Sequence, residues 1–168
     1  ITPTTAELTV IGGYPAYSGS QPSYGVGGML VVSPTTSGVN FRGFLTGLEK
    51  YSNVVGGWHV HAGYSCASHE GGSGHYYAAD GTDPWVVPVA TQYNSDSKGV
   101  ASIDQTVGKV SLYGSMPIYG RAVVVHLSSA VAGTPRVGCG EIGASNGEYG
   151  AVAVVKPYPA YSGYSGVP

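Results

Sequence analysis

Short runs in which apolar and polar residues alternate recur along the chain, and they predict strands rather than helices. Ala6-Glu7-Leu8-Thr9-Val10 opens the series. Successive side chains of a strand point to opposite faces, so such alternation marks a strand with one buried side. Gly28 to Val32 and Val39 to Leu45 follow, divided by the turn Ser33-Pro34-Thr35-Thr36-Ser37-Gly38. Further runs are Gly56 to His61, Val100 to Val107, Lys109 to Tyr113 and Val137 to Ile142, while Arg121 to Leu127 carries a short continuous apolar run, as a buried sandwich strand would. Gly12 to Gly25 reads as a long loop, and Ala62 to Asp96 as an irregular stretch of a length that in a compact domain usually carries function. Eight short strands separated by Gly, Pro and Ser clusters predict an all-β antiparallel sandwich or barrel.

Composition agrees with that pattern. The chain has 28 Gly, 11 Pro and 14 Tyr beside only 2 Phe, which describes a turn-rich β protein. Its 168 residues make one domain with room for a modest extension. With a net charge of -2 and 10% charged residues, it lacks the basic patch of a nucleic-acid or membrane-surface binder. No apolar run reaches the roughly 18 residues of a membrane span. The sequence begins at Ile1 without a signal-like segment, so a processed protein or a piece of a longer one is expected.

Candidate chemistry centres on Gly57-Trp58-His59-Val60-His61. Residues two apart on a strand share a face, so His59 and His61 present two imidazoles side by side, as a metal chelate requires. Such a pair alone is more often two solvated or hydrogen-bonded histidines. Three later pieces change its weight: Gly74-His75-Tyr76, Val123-Val124-Val125-His126 and Arg136-Val137-Gly138-Cys139.

Taken in order, with Cys66 after the first piece, Gly120-Arg121 before the third and Gly140-Glu141-Ile142-Gly143 after the fourth, these segments resemble the copper-zinc superoxide dismutase family from about Ala6 to Ala144. The resemblance implies an eight-stranded Greek-key barrel. It implies copper ligands at His59, His61, His75 and His126, a disulfide between Cys66 and Cys139, and an anion-guiding Arg136. His75 would also be the catalytic histidine that the family shares with a zinc ion, and an oxidising, extracellular location would follow from the disulfide.

The chain departs from the family in two places. Between His75 and the aspartate candidate Asp83 there is no histidine to complete a zinc site, and the spare His69, more simply a solvated loop residue than a ligand, precedes His75. The loop Leu127 to Pro135 also lacks the family's charged residues, with Ala130 nearest to an aspartate that links the two metals. Both departures resemble the copper-only branch, so one copper and no zinc are expected, although zinc could fill the same nitrogens if copper were scarce. Without zinc, His75 needs a carboxylate to fix its tautomer; Asp83 is the choice, with Asp80 and Glu70 as alternatives and a turn-initiating Asp before Pro84 as the plain structural reading. Arg136 has the alternative of pairing with Glu141. Trp58 faces away from the histidines and reads as packing, and Tyr76-Tyr77 as a cover for the loop.

Tyr14-Pro15-Ala16-Tyr17-Ser18-Gly19 recurs as Tyr158-Pro159-Ala160-Tyr161-Ser162-Gly163, and Leu8, Val10 and Ile11 correspond to Val152, Val154 and Val155. The chain therefore divides into a domain over 1–145 and an extension over 146–168 that copies the first strand and loop, with a C-terminal extra strand over Gly150 to Lys156. Residues 150–164 are expected to pair with copies of the chain or with an adjacent repeat. Two functions follow. One is a secreted copper-only superoxide dismutase acting on superoxide; the other is a structural subunit of an extracellular fibre or repeat array in which the metal site is structural or vestigial.

Overall fold

A computed structural model describes residues 6–15, 17, 25–50, 54–68, 71, 73–85, 91–127 and 135–143. Its named elements are eight strands: β1 (Glu7–Gly13), β2 (Gly27–Thr35), β3 (Gly38–Thr46), β4 (Val54–Val60), β5 (Gln92–Ser95), β6 (Ala101–Val107), β7 (Ala122–His126) and β8 (Arg136–Glu141). All pairings are antiparallel, in the order β5-β4-β7-β8-β1-β2-β3-β6. β3 lies beside β6 and β4 beside β7, so the chain crosses between the two halves after β3, after β5 and after β6, which is Greek-key connectivity.

β1 joins the halves. Its Glu7 to Ile11 pair with β2, whereas Gly12 and Gly13 pair with Cys139 and Gly138 of β8. The end strands β5 and β6 share no ladder, yet Gln105 of β6 spans the gap. Its amide donates to Gln92 O of β5 (2.6 Å), and its Oε1 accepts from Trp58 Nε1 (3.1 Å), leaving a nearly closed barrel.

The inward positions read directly from the alternation. Leu30 and Val32, Val39, Phe41 and Leu45, Trp58 and Val60, Ala101, Ile103 and Val107, and Val123 and Val125 are all buried in one core. Trp85, from the connection before β5, closes against Phe41 and Trp58 with ring centroids 6.2 and 6.5 Å away. β7 is buried on its other face too, because Ala122 and Val124 pack with Tyr14, Cys66 and Cys139 in a second cluster outside the barrel wall. That accounts for its uninterrupted apolar run.

Two expectations need correction. Ala62 to Asp96 is not irregular throughout, since β5 lies within it; its inward positions are Tyr93 and Ser95, whose polar ends bond to Glu49, so no apolar alternation announces the strand. Lys109 to Tyr113 is not a strand. Val110 and Leu112 do bury alternately, but only Ser111 forms a bridge, to Pro117, and Lys109 has a left-handed φ of 62°. The expected extra strand at 150–156 and the domain boundary near 145 lie outside the described residues, as do His69, Glu70 and Ala130.

Candidate metal centre

Trp58 and Val60 occupy the inward face of β4, so His59 and His61 project outward, and the same parity holds on β7, where Val123 and Val125 face in and His126 faces out. His126 stands opposite Gly57 in the ladder. A Cβ on Gly57 would lie 3.2 Å from His59 Nε2, so the glycine lets the His59 ring lie back along its own strand. His75 arrives from the long connection. A bridge of His61 to His75, extended by Ala62 N to Gly74 O (2.8 Å) and Tyr76 N to Val60 O (3.0 Å), lays it beside β4.

The four rings converge. His59 stands 4.2 Å from His75 and 5.0 Å from His126 between centroids, and one nitrogen from each of the four lies within 4.8 Å of all the others. Second partners show which nitrogen each ring offers. His61 Nδ1 donates to Ser73 O (2.8 Å) and His75 Nδ1 to Asp83 Oδ2 (2.6 Å), which leaves Nε2 of each ring as the nitrogen available to a metal. His126 Nε2 lies 3.5 Å from His61 Nε2. His59 Nδ1 is buried with no hydrogen-bond partner, an atom that costs free energy unless something accepts its lone pair. A cation bound here would take one nitrogen from each ring, and His59 Nδ1 would gain the partner it lacks. With metal–nitrogen bonds of about 2.0–2.1 Å two ligand nitrogens stand at most about 4.2 Å apart, so a pair at the 4.8 Å limit would have to close by some tenths of an ångström.

The electrostatics favour ligation. Burial, then the neighbouring histidines, hold His59 down at about 2. His61 is held near 4, chiefly by burial, with the Ser73 carbonyl acting in the opposite direction and Arg136 and the other histidines adding to the fall. Both rings are therefore neutral near pH 7, the form that binds metal.

Asp83 holds more than His75. Its Oδ1 accepts from Trp85 N (3.0 Å), and Trp85 Nε1 donates to Tyr76 O (2.7 Å), so the buried tryptophan anchors the segment that orients the ligand. In an Asp83→Asn variant, keeping the oxygen on Trp85 N turns the amide N–H toward His75 Nδ1–H. His75 must then switch tautomer or lose its partner. Metal affinity is expected to fall about 10- to 100-fold, measured by competition against a chelator of known affinity; an unchanged affinity would remove Asp83 from the site.

Arg136 reaches the same place through an irregularity. Val125 opposes Gly138, but the next pair is His126 with Arg136, so Val137 is the extra residue of a β-bulge. Val137 packs into the barrel core and Arg136 turns outward beside His126. Its Nη2 donates to Ser73 O (2.7 Å) and its Nη1 to the Tyr14 hydroxyl (3.1 Å). Glu141 Oε1 accepts from Cys66 N (3.1 Å). The Cys66–Cys139 disulfide, with Cα atoms 5.7 Å apart, ties the connection after β4 to β8. Tyr76 lies under the Arg121 guanidinium, 3.7 Å from ring centroid to Cζ, while Tyr77 is exposed. Asp80 bonds Thr82 and Lys109 at the surface rather than a histidine.

Sequence reasoning missed three contributors: the bulge at Val137, Tyr14 and Ser73. Tyr14 was assigned to a loop, yet it is 5% exposed. Ser73 has a left-handed φ of 58° and offers one carbonyl to both His61 and Arg136, a role of its backbone that its residue type does not announce. Scanned against protein-family models the chain matches none, and no match is found among curated proteins.

Proposed function

We propose that this chain is a copper-dependent superoxide dismutase-like domain of the copper-only kind, working in an oxidising extracellular setting. The observation that carries the reading is the convergence of one nitrogen from each of four histidines, beside an arginine anchored at two of its nitrogens. An all-nitrogen donor set favours copper among the common divalent metals. Bound copper supplies one-electron redox chemistry that turns two superoxide ions and two protons into dioxygen and hydrogen peroxide.

The chain's own residues do the rest. Neutral His59 and His61 hold the metal without first losing a proton. Asp83 keeps His75 in one tautomer, and Ser73 does the same for His61. Arg136 sets a positive charge and N–H donors next to the histidines, which suits a small anion. The disulfide supports the setting, because such bonds persist in oxidising compartments. No helix among the described residues is long and apolar enough to cross a membrane.

The test is superoxide decay with copper-loaded protein. A rate above that of free copper, lost in His126→Ala, is expected; equal rates for the two proteins would remove the enzymatic reading.

A second reading, a structural subunit joined through residues 150–164, is favoured by the exact recurrence of the Tyr14–Gly19 segment at Tyr158–Gly163. Exposed Val31 and Phe44 on the outer faces of β2 and β3 add to it. Truncation after Ser145 separates the readings. Assembly that persists unchanged in the shortened chain, by analytical ultracentrifugation, would contradict strand addition through the tail.

A further inference from the structure

Tyr14 follows directly on β1 in a stretch of Gly, Pro, Tyr and Ser, where an exposed side chain would be ordinary. Instead its N–H donates to Val137 O (3.0 Å), one rung beyond the pairs Gly12–Cys139 and Gly13–Gly138. Val137 is the bulged residue that turns Arg136 outward. One residue thus aims the arginine and anchors the tyrosine. The Tyr14 ring packs with Cys66, Ala122, Val124 and Cys139, a role phenylalanine would fill equally well. What phenylalanine lacks is the hydroxyl, and that hydroxyl receives Arg136 Nη1.

We propose that Tyr14 is a positioning residue for Arg136. Its hydroxyl holds one arm of the guanidinium while Ser73 O holds the other, and the planar group is thereby fixed in orientation beside the histidine cluster. Arginine side chains have several rotors, and a guanidinium held at a single nitrogen still swings. One held at two terminal nitrogens presents its N–H groups in one direction, ready for a small anion without reorganisation. Ser73 O also receives His61 Nδ1, so tyrosine, arginine, carbonyl and ligand form one hydrogen-bonded chain running from the end of β1 to the metal site. The inference rests on the reading of Arg136 as the anion-binding group of a metal centre.

Two measurements on Tyr14→Phe test it, and the first needs no metal. In metal-free protein labelled with nitrogen-15, rotation of the Arg136 guanidinium about its Nε–Cζ bond is expected to be slow in the native chain and at least about tenfold faster in the variant, as loss of a bond to a charged group implies. In copper-loaded protein, azide titrated by absorption is expected to bind about fivefold more weakly to the variant, with copper loading unchanged and the melting temperature lowered by no more than a few degrees. Unchanged rotation would overturn the positioning role. Faster rotation with unaltered azide affinity would overturn its connection to the anion. A lower melting temperature with both other readouts unaltered would make Tyr14 structural only. If native protein takes up no copper or no azide, the metal-centre reading fails, and the rotation measurement still decides whether Tyr14 holds Arg136.

Discussion

Replacing Cys66 and Cys139 together by serine is expected to lower the folding stability by about 4 kcal/mol. The bond closes a loop of 73 residues, and in the chain-entropy account a loop of that length restricts the unfolded ensemble by roughly that amount. The native state loses order as well, because the disulfide sits in the outer cluster with Tyr14 and Val124 and fixes the start of the connection that carries His75. Metal affinity should therefore fall along with stability. Urea denaturation of metal-free native and double-serine protein measures the first effect, and a loss under about 1 kcal/mol would show that the connection is held by its other contacts.

Acidification should have the next largest effect on the metal-free protein. In the unfolded chain histidines gain a proton near pH 6.5. The folded chain holds His61 near 4 and His59 near 2, mainly through burial. Below about pH 6.5 the unfolded state consequently binds more protons, and stability falls with pH by up to about 1.4 kcal/mol per unit for each histidine. The His61 contribution levels off below about 4, while that of His59 continues. The two together would contribute about 3 kcal/mol between pH 6.5 and 5 if fully shielded from water, and allowing for partial solvent screening a loss of about 2 kcal/mol is expected. Asp80 and Asp96, whose carboxyls hydrogen bonds hold below the usual carboxylate range, act only in a more acidic window. Denaturation at pH 7, 6 and 5 measures the slope. It should flatten in His59→Ala, and a native slope already flat would contradict the burial of neutral imidazoles.

Much of this architecture was legible because it follows the two-residue period of a strand. The outward parity of His59 and His61 needs only that Trp58 and Val60 face the core, and the run Ala122 to Val125 announces a strand covered on both sides. β5 escaped because Tyr93 and Ser95 are inward residues with polar ends, satisfied by Glu49 from a distant part of the chain. Lys109 to Tyr113 misled for the converse reason: Val110 and Leu112 are buried alternately without a neighbouring strand to pair with. At the site, side-chain ligands show in a sequence and backbone ligands do not. Asp83 is a candidate by its place before Pro84 and Trp85, but no residue type marks the Ser73 carbonyl, and the bulge at Val137 appears only as a register shift between two strands.

Whether the four histidines form one metal centre is decided by a copper(II) titration followed by electron paramagnetic resonance. A single equivalent is expected to bind, with a tetragonal signal carrying hyperfine structure from four nitrogens, replaced by a different or weaker signal in His59→Ala, the variant that removes the buried Nδ1. Copper taken up without a saturating equivalent, or a signal identical in native and His59→Ala protein, would contradict a single four-histidine centre.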